Sequence, residues 1–174
     1  MFFKKKYETI PNEIYQKIVD FSRNKIFFTK YKIPDTIDGR FDMLVLITVI
    51  FVFRLSKIKD EGIELSQNIF DIVFKDLDFS LRELGAGDVS VAKNMKKLIS
   101  SYMGRQKVYI KLFKNNDEKS LALAFENNIY RNTNQQKKLL LLLSKNIIRI
   151  NRKLDLIDDK KILAGDFQFS IDLL

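Results

Sequence analysis

Met43-Leu44-Val45-Leu46-Ile47-Thr48-Val49-Ile50-Phe51-Val52-Phe53 is the most apolar run of the chain, broken only by Thr48 and bounded by Asp42 and Arg54. Its Val, Ile and Thr content suits a strand. With its flanks, however, the segment runs from Asp38-Gly39 to about Lys59, well beyond a usual strand of about 5–6 residues. It therefore reads as a helix, buried on all sides. Eleven positions fall short of the roughly 17–25 that a membrane span needs. Leu139 to Leu143 is shorter still. Both runs are assigned to a core, and the chain is expected to be soluble.

The same helical spacing recurs on either side. Ile14, Ile18, Phe21 and Ile26 form a first periodic segment between Pro11 and Pro34. Gly62 opens a third, in which Leu65, Ile69, Ile72, Val73, Leu77 and Leu81 keep a 3-4 stripe. It ends at Leu84-Gly85-Ala86-Gly87-Asp88, where Gly85 suits a left-handed position and Asp88 or Ser90 can cap the next helix. That helix carries Val91, Met95, Leu98, Ile99 and Tyr102 inward and is expected to stop at Gly104. A shorter one follows from Arg105 to Phe113. A sixth runs near Glu118 to Tyr130 and a seventh near Asn134 to Leu154, with Lys114 to Asp117 as a polar loop. Phe167, Phe169 and Ile171 alternate after Gly165, as in an extended piece laid across a bundle. Nothing repeats internally. The expected fold is all-α, a single-domain bundle of about seven helices, with a core over about 12–155 and a tail over 156–174.

Composition limits the chemistry. The 174 residues include no His, no Cys and no Trp. Disulfides, thiolate nucleophiles, imidazole acid–base catalysis and His- or Cys-based metal sites are thereby excluded. What remains is carboxylate, lysine, hydroxyl and backbone chemistry, a poor kit for most enzymes. The charge of +9 is uneven. From Val89 to Lys153, 15 basic residues face Asp117, Glu118 and Glu126, a local +12 that leaves −3 elsewhere. Asp60 to Asp88 is acidic, with eight acids against Lys75 and Arg82. Lys93, Lys96 and Lys97 crowd one helix face, which is unfavourable for the helix alone. Such charges are either solvated or meet an anionic partner, whether nucleic acid or an anionic membrane surface.

Other motifs carry less. Gly85-Ala86-Gly87-Asp88 lacks the third glycine, the lysine and the preceding strand of a phosphate loop, and reads as a tight helix–helix turn. Asp71, Asp76 and Asp78 look like a Mg²⁺ cluster, but helical spacing sets Asp76 away from the other two. A solvated acidic face is the simpler reading. Asp38 is a plausible N-cap, and Arg40, among Asp35, Asp38 and Asp42, can bridge to an acid. Lys4-Lys5-Lys6 is followed by Tyr7-Glu8-Thr9-Ile10-Pro11, with no apolar stretch of a secretory signal.

Several spaced segments, in order, resemble the ubiquinol–cytochrome c chaperone family, assembly factors for cytochrome b of respiratory complex III. They are Ile18-Val19 with Ser22-Arg23-Asn24, Phe28-Thr29, Pro34 to Asp42, and Phe70-Asp71 with Phe74 to Asp78. Leu81 to Asp88, Val91-Ala92-Lys93 with Lys96-Lys97, and Gly104-Arg105 complete the series. The chain departs from the family at Ile47, where a His is usual, at Ala86, and at Asn127-Asn128, where Arg-Asn is usual. The resemblance implies an all-α chaperone without enzymatic activity, cofactor or metal, which binds newly made cytochrome b. It also implies a small helical co-chaperone and contact with the ribosome. Peripheral contact with an anionic membrane surface fits the same charge pattern. The expected location is the cytoplasm of a bacterium, or the mitochondrial matrix for a processed eukaryotic chain. The expected partner-binding set is Asp35, Asp38, Arg40, Asp42, Arg82, Glu83, Asp88, Lys93, Lys96, Lys97 and Arg105. The same residues also admit a structural role, with Asp38 and Asp88 setting turns and Arg40, Arg82 and Glu83 in intramolecular pairs. A general ribosome- or RNA-binding helical module is the competing function.

Overall fold

In the structure, a computed structural model, residues 2–131 and 135–171 are described, with side chains from Thr9 onward. Eight helices follow in order: α1 (Phe2–Ser22), α2 (Lys25–Thr29), α3 (Ile37–Leu55), α4 (Asp60–Glu83), α5 (Asp88–Asn115), α6 (Glu118–Asn128), α7 (Lys137–Asp155) and α8 (Asp159–Leu163). Among the described residues there is no strand, and no helix is long and apolar enough to cross a membrane. The all-α bundle is as expected, with the one-turn helices α2 and α8 added and the anticipated fourth and fifth helices joined as α5.

The apolar run decides the architecture because it leaves α3 no polar face. From Met43 to Phe53 only Leu44 keeps partial exposure, and α3 accordingly sits at the centre, packed against α1, α4, α5 and α7. The amphipathic helices surround it with one apolar side each, α6 lying mainly on α7 and secondarily on α5. One continuous core results, from Ile14 in α1 to Phe167 beyond α8. The charge that ends α3 is also buried. Arg54, 4% exposed, donates through Nε to the Leu154 carbonyl (3.0 Å) and through Nη2 to that of Ile157 (2.7 Å). It also pairs with Asp159 at 2.5 Å, so the end of α3 is tied to the α7–α8 turn.

Four boundaries differ from expectation. Pro11 lies inside α1 rather than before it. Gly104 does not end a helix, because α5 continues through it to Asn115 and its side of the helix is open to solvent. One glycine costs a helix only about 1 kcal/mol, which the apolar face from Val91 to Phe113 easily offsets. Neither Asp38 nor Asp88 is an N-cap. Thr36 caps α3 by accepting from the Gly39 amide (3.1 Å), and Gly87 precedes α5 without a side-chain cap. Gly85 does take the left-handed backbone, with φ of 84°. Helix α7 begins at Lys137, and the anticipated start at Asn134 lies outside the described residues.

The tail behaves as its alternation suggests. Phe167 stacks on Phe51 and Phe169 on Phe21, each with ring centroids 5.0 Å apart. Lys17 of α1 donates to the carbonyls of Gly165 (2.7 Å) and Phe167 (2.9 Å). Lys17→Met removes both bonds. It is expected to cost about 1–2 kcal/mol and to make residues 165–171 the first site of limited proteolysis. An unchanged cleavage pattern would assign the tail's anchorage to the phenylalanines alone.

Candidate functional site

The first turn of α3, the last turns of α4 and the first half of α5 converge at one end of the bundle. The stripe that builds α4 runs past the part of α3 able to cover it. Leu77 and Leu81 therefore meet Phe41 and Leu98 in a partly covered seam instead of a closed core. The seam opens as a groove of about 370 Å³. Ile37 and Leu84 stand on its rim, 73% and 69% exposed. Two large apolar side chains standing in solvent beside a partly covered apolar seam suit a recognition surface.

Beneath the groove lies an ionic cluster. Asp42, 1% exposed, pairs with Arg105 (2.9 Å) and with Arg131 (2.7 Å), and the second Nη of Arg131 lies 3.6 Å from Asp38. Arg105 is further held by the hydroxyl and carbonyl of Ser101 one turn before it. Burial lifts the Asp42 carboxyl from its ordinary 3.8 to about 6, even though the two guanidinium groups pull the other way. Tyr109, fully buried next to Arg105, is pushed up to about 12 by the same desolvation and accepts a hydrogen bond from Asn128. The cluster joins α3 and α5 to the segment after α6.

Of the residues singled out in the sequence, Asp38, Asp42 and Arg105 come together here. Lys97 shares the groove wall, with Lys93 and Lys96 on the adjoining shallow face of α5 beside Ser100 and Ser101. All three lysines are exposed, and none pairs with a carboxylate among the described residues. Arg82 bonds Asp78 (2.7 Å) and Asp88 (2.5 Å), clipping the α4–α5 turn next to the groove. Glu83 is exposed beside it. Asp35 and Arg40 form a separate exposed pair at 2.7 Å, and the guanidinium holds the Asp35 carboxyl below its usual range. This pair lies with Arg23 and Lys25 on another face.

Sequence reasoning missed Arg131, Ile37 and Leu84. Arg131 follows Asn127 by four residues in the chain and makes the contact with Asp42. The acids of α4 do not converge. Asp71 accepts from Gln67, Asp78 from Arg82, and Asp76 from the Tyr15 hydroxyl of α1. Among the described residues no three acids are placed to hold a metal ion.

Comparison with curated proteins found no match. Among solved structures, the chain is similar to the crystal structure of the Cbp3 homolog from Brucella abortus. The identity is 34%, the TM-score is 0.87, and the match covers 96% of this chain and 92% of that one. The family model described as Ubiquinol-cytochrome C chaperone matches residues 29–169, which include every residue of the groove and of the cluster beneath it. The chain therefore belongs to the ubiquinol-cytochrome C chaperone family.

Proposed function

We propose that the protein is an assembly chaperone that binds newly synthesised cytochrome b and promotes assembly of ubiquinol–cytochrome c reductase, respiratory complex III, without catalysing a reaction. The observation that carries this reading is the open apolar groove at the α3–α4–α5 end, within the family-matched span. A holding protein needs apolar surface that remains uncovered until a client arrives, and Ile37 and Leu84 supply it. The ionic cluster beneath ties α3 and α5 together and so helps to hold the groove's shape before binding. A small helical co-chaperone is compatible with the same role.

The test is recovery of cytochrome b with the tagged chain from its native cell. Ile37→Asp combined with Leu84→Asp alters two exposed side chains and is expected to leave the fold intact by circular dichroism. Recovery should fall by about tenfold, the loss expected when anchor residues are removed. Equal recovery by the variant would exclude the groove as the client surface.

One observation favours a second reading, a general ribosome- or RNA-binding module: Lys93, Lys96 and Lys97, exposed on α5 with no carboxylate partner among the described residues. That function demands steeply salt-dependent RNA binding, lost when Lys93, Lys96 and Lys97 are changed to Glu. Ribosomes recovered without cytochrome b would favour it.

A further inference from the structure

We propose that the groove selects a particular kind of polypeptide: an apolar stretch followed by acidic side chains, seated with its apolar residues on Leu77, Leu81 and Leu98 and its carboxylates against α5. The inference rests on the groove being the client surface, and it adds what that surface reads.

The charges of the groove do not cancel evenly along it. Arg105 is committed to Asp42, and Arg131 is shared between Asp42 and Asp38. These four side chains therefore neutralise one another at the α3 side. Lys97, on the α5 wall, has no carboxylate partner among the described residues, and Lys93 and Lys96 extend the uncompensated charge along the same helix. An occupant that covered the apolar floor would also draw Lys97 out of water. That desolvation is unfavourable unless the occupant brings a carboxylate. Apolar residues alone would leave the lysine unpaired, and a basic segment would be repelled. A nucleic acid would satisfy the lysines but would leave the leucine floor and the exposed Ile37 and Leu84 uncovered. The combination fits a peptide with apolar anchors at helical spacing and acids at one end.

The experiment uses the full chain and three labelled synthetic helical peptides, read by fluorescence anisotropy. Each has leucines at i, i+3 and i+7, followed by a last turn carrying three Glu, three Gln or three Lys. The Glu peptide is expected to bind about tenfold more tightly than the Lys peptide at low ionic strength. The difference should shrink as salt is added. Lys97→Gln should narrow the difference between the Glu and Lys peptides, and Lys97→Glu should narrow it further. Three peptides of equal affinity, or a ranking indifferent to Lys97, would overturn the proposal. So would a single-stranded RNA oligonucleotide that displaces the Glu peptide and binds more tightly. The functional reading fails separately. If cytochrome b is recovered equally by wild type and Lys97→Glu but lost with the Ile37/Leu84 pair, the charge rule falls and the chaperone role stands. If the charge preference holds while cytochrome b is never recovered, the role falls and the peptide rule stands.

Discussion

Arg105→Met is expected to destabilise the protein by about 3 kcal/mol at pH 7.5, and by distinctly less at pH 5. At neutral pH Asp42 is ionised and buried, and the substitution leaves it with Arg131 alone. Arg131 is 42% exposed, so water weakens its share of the attraction, whereas Arg105 is 14% exposed and provides the better-desolvated half. Removing one partner of a buried charge costs more than the pair contributes, because the other charge stays buried. The pH dependence follows from the direction of the Asp42 shift. The folded carboxyl titrates near 6 and the unfolded one near 3.8. Between those values the native state holds more protons than the unfolded state, so this group's contribution to stability falls as pH rises. Over the full window the fall amounts to about 3 kcal/mol. Arg105→Met removes one influence that lowers the folded pKa, so its stability should fall more steeply still. Adding Asp42→Asn removes the charge that needed a partner and is expected to recover most of the loss. Urea denaturation of the wild type, Arg105→Met, Asp42→Asn and the double variant at pH 5 and 7.5 decides the matter. A cost for Arg105→Met that is equal at both values and is not relieved by Asp42→Asn would show that Arg105 acts by packing alone.

Two glycine-to-alanine substitutions should have opposite signs. In a helix, alanine is normally better than glycine by about 1 kcal/mol. Gly104, in the open middle of α5, has nothing within 4 Å of an added Cβ. Gly104→Ala is therefore expected to gain up to about 1 kcal/mol. At Gly39, in the first turn of α3, an added Cβ would penetrate the Pro34 carbonyl oxygen and lie 3.1 Å from its carbon. Neither obstacle is a side chain that can rotate away, and the proline ring restricts how its backbone can shift. Gly39→Ala should cost about 3 kcal/mol net, the propensity gain included. Because Thr36, Ile37 and Asp38 lie between the colliding residues, the variant should also weaken client capture. Thermal melts of both variants test the contrast, and a Gly39→Ala protein as stable as wild type would mean that the α2–α3 connection yields easily.

The helical elements could be read from the chain because each depends on its own periodicity. The stripe of α4 and the all-round apolarity of α3 are local patterns. Gly104 misled because a glycine's local cost is small beside the burial of Tyr109, Leu112 and Phe113 beyond it, which only tertiary packing reveals. Asp38 and Asp88 misled for a related reason. Thr36 and Gly87 take the cap positions, while the acids turn to Arg131 and Arg82. The groove was half legible. Asp38, Asp42, Lys97 and Arg105 stood out by type and motif. Ile37 and Leu84 looked like ordinary apolar residues, and exposure is not a property of residue type. Arg131 contacts a carboxylate 89 positions earlier, and no spacing rule spans that separation.

The grip of Lys17 on residues 165 and 167 has a consequence for how the chain matures. The two bonded partners are 148 and 150 positions apart, so in vectorial synthesis the ring faces of Phe21 and Phe51 are made long before Phe169 and Phe167 can cover them. During that interval the nascent protein carries an uncovered aromatic strip of its own. Contacts of such long separation form late, since the loop-closure entropy must be met before they return anything. A member of a chaperone family thus passes through a stage in which its own apolar surface needs shielding.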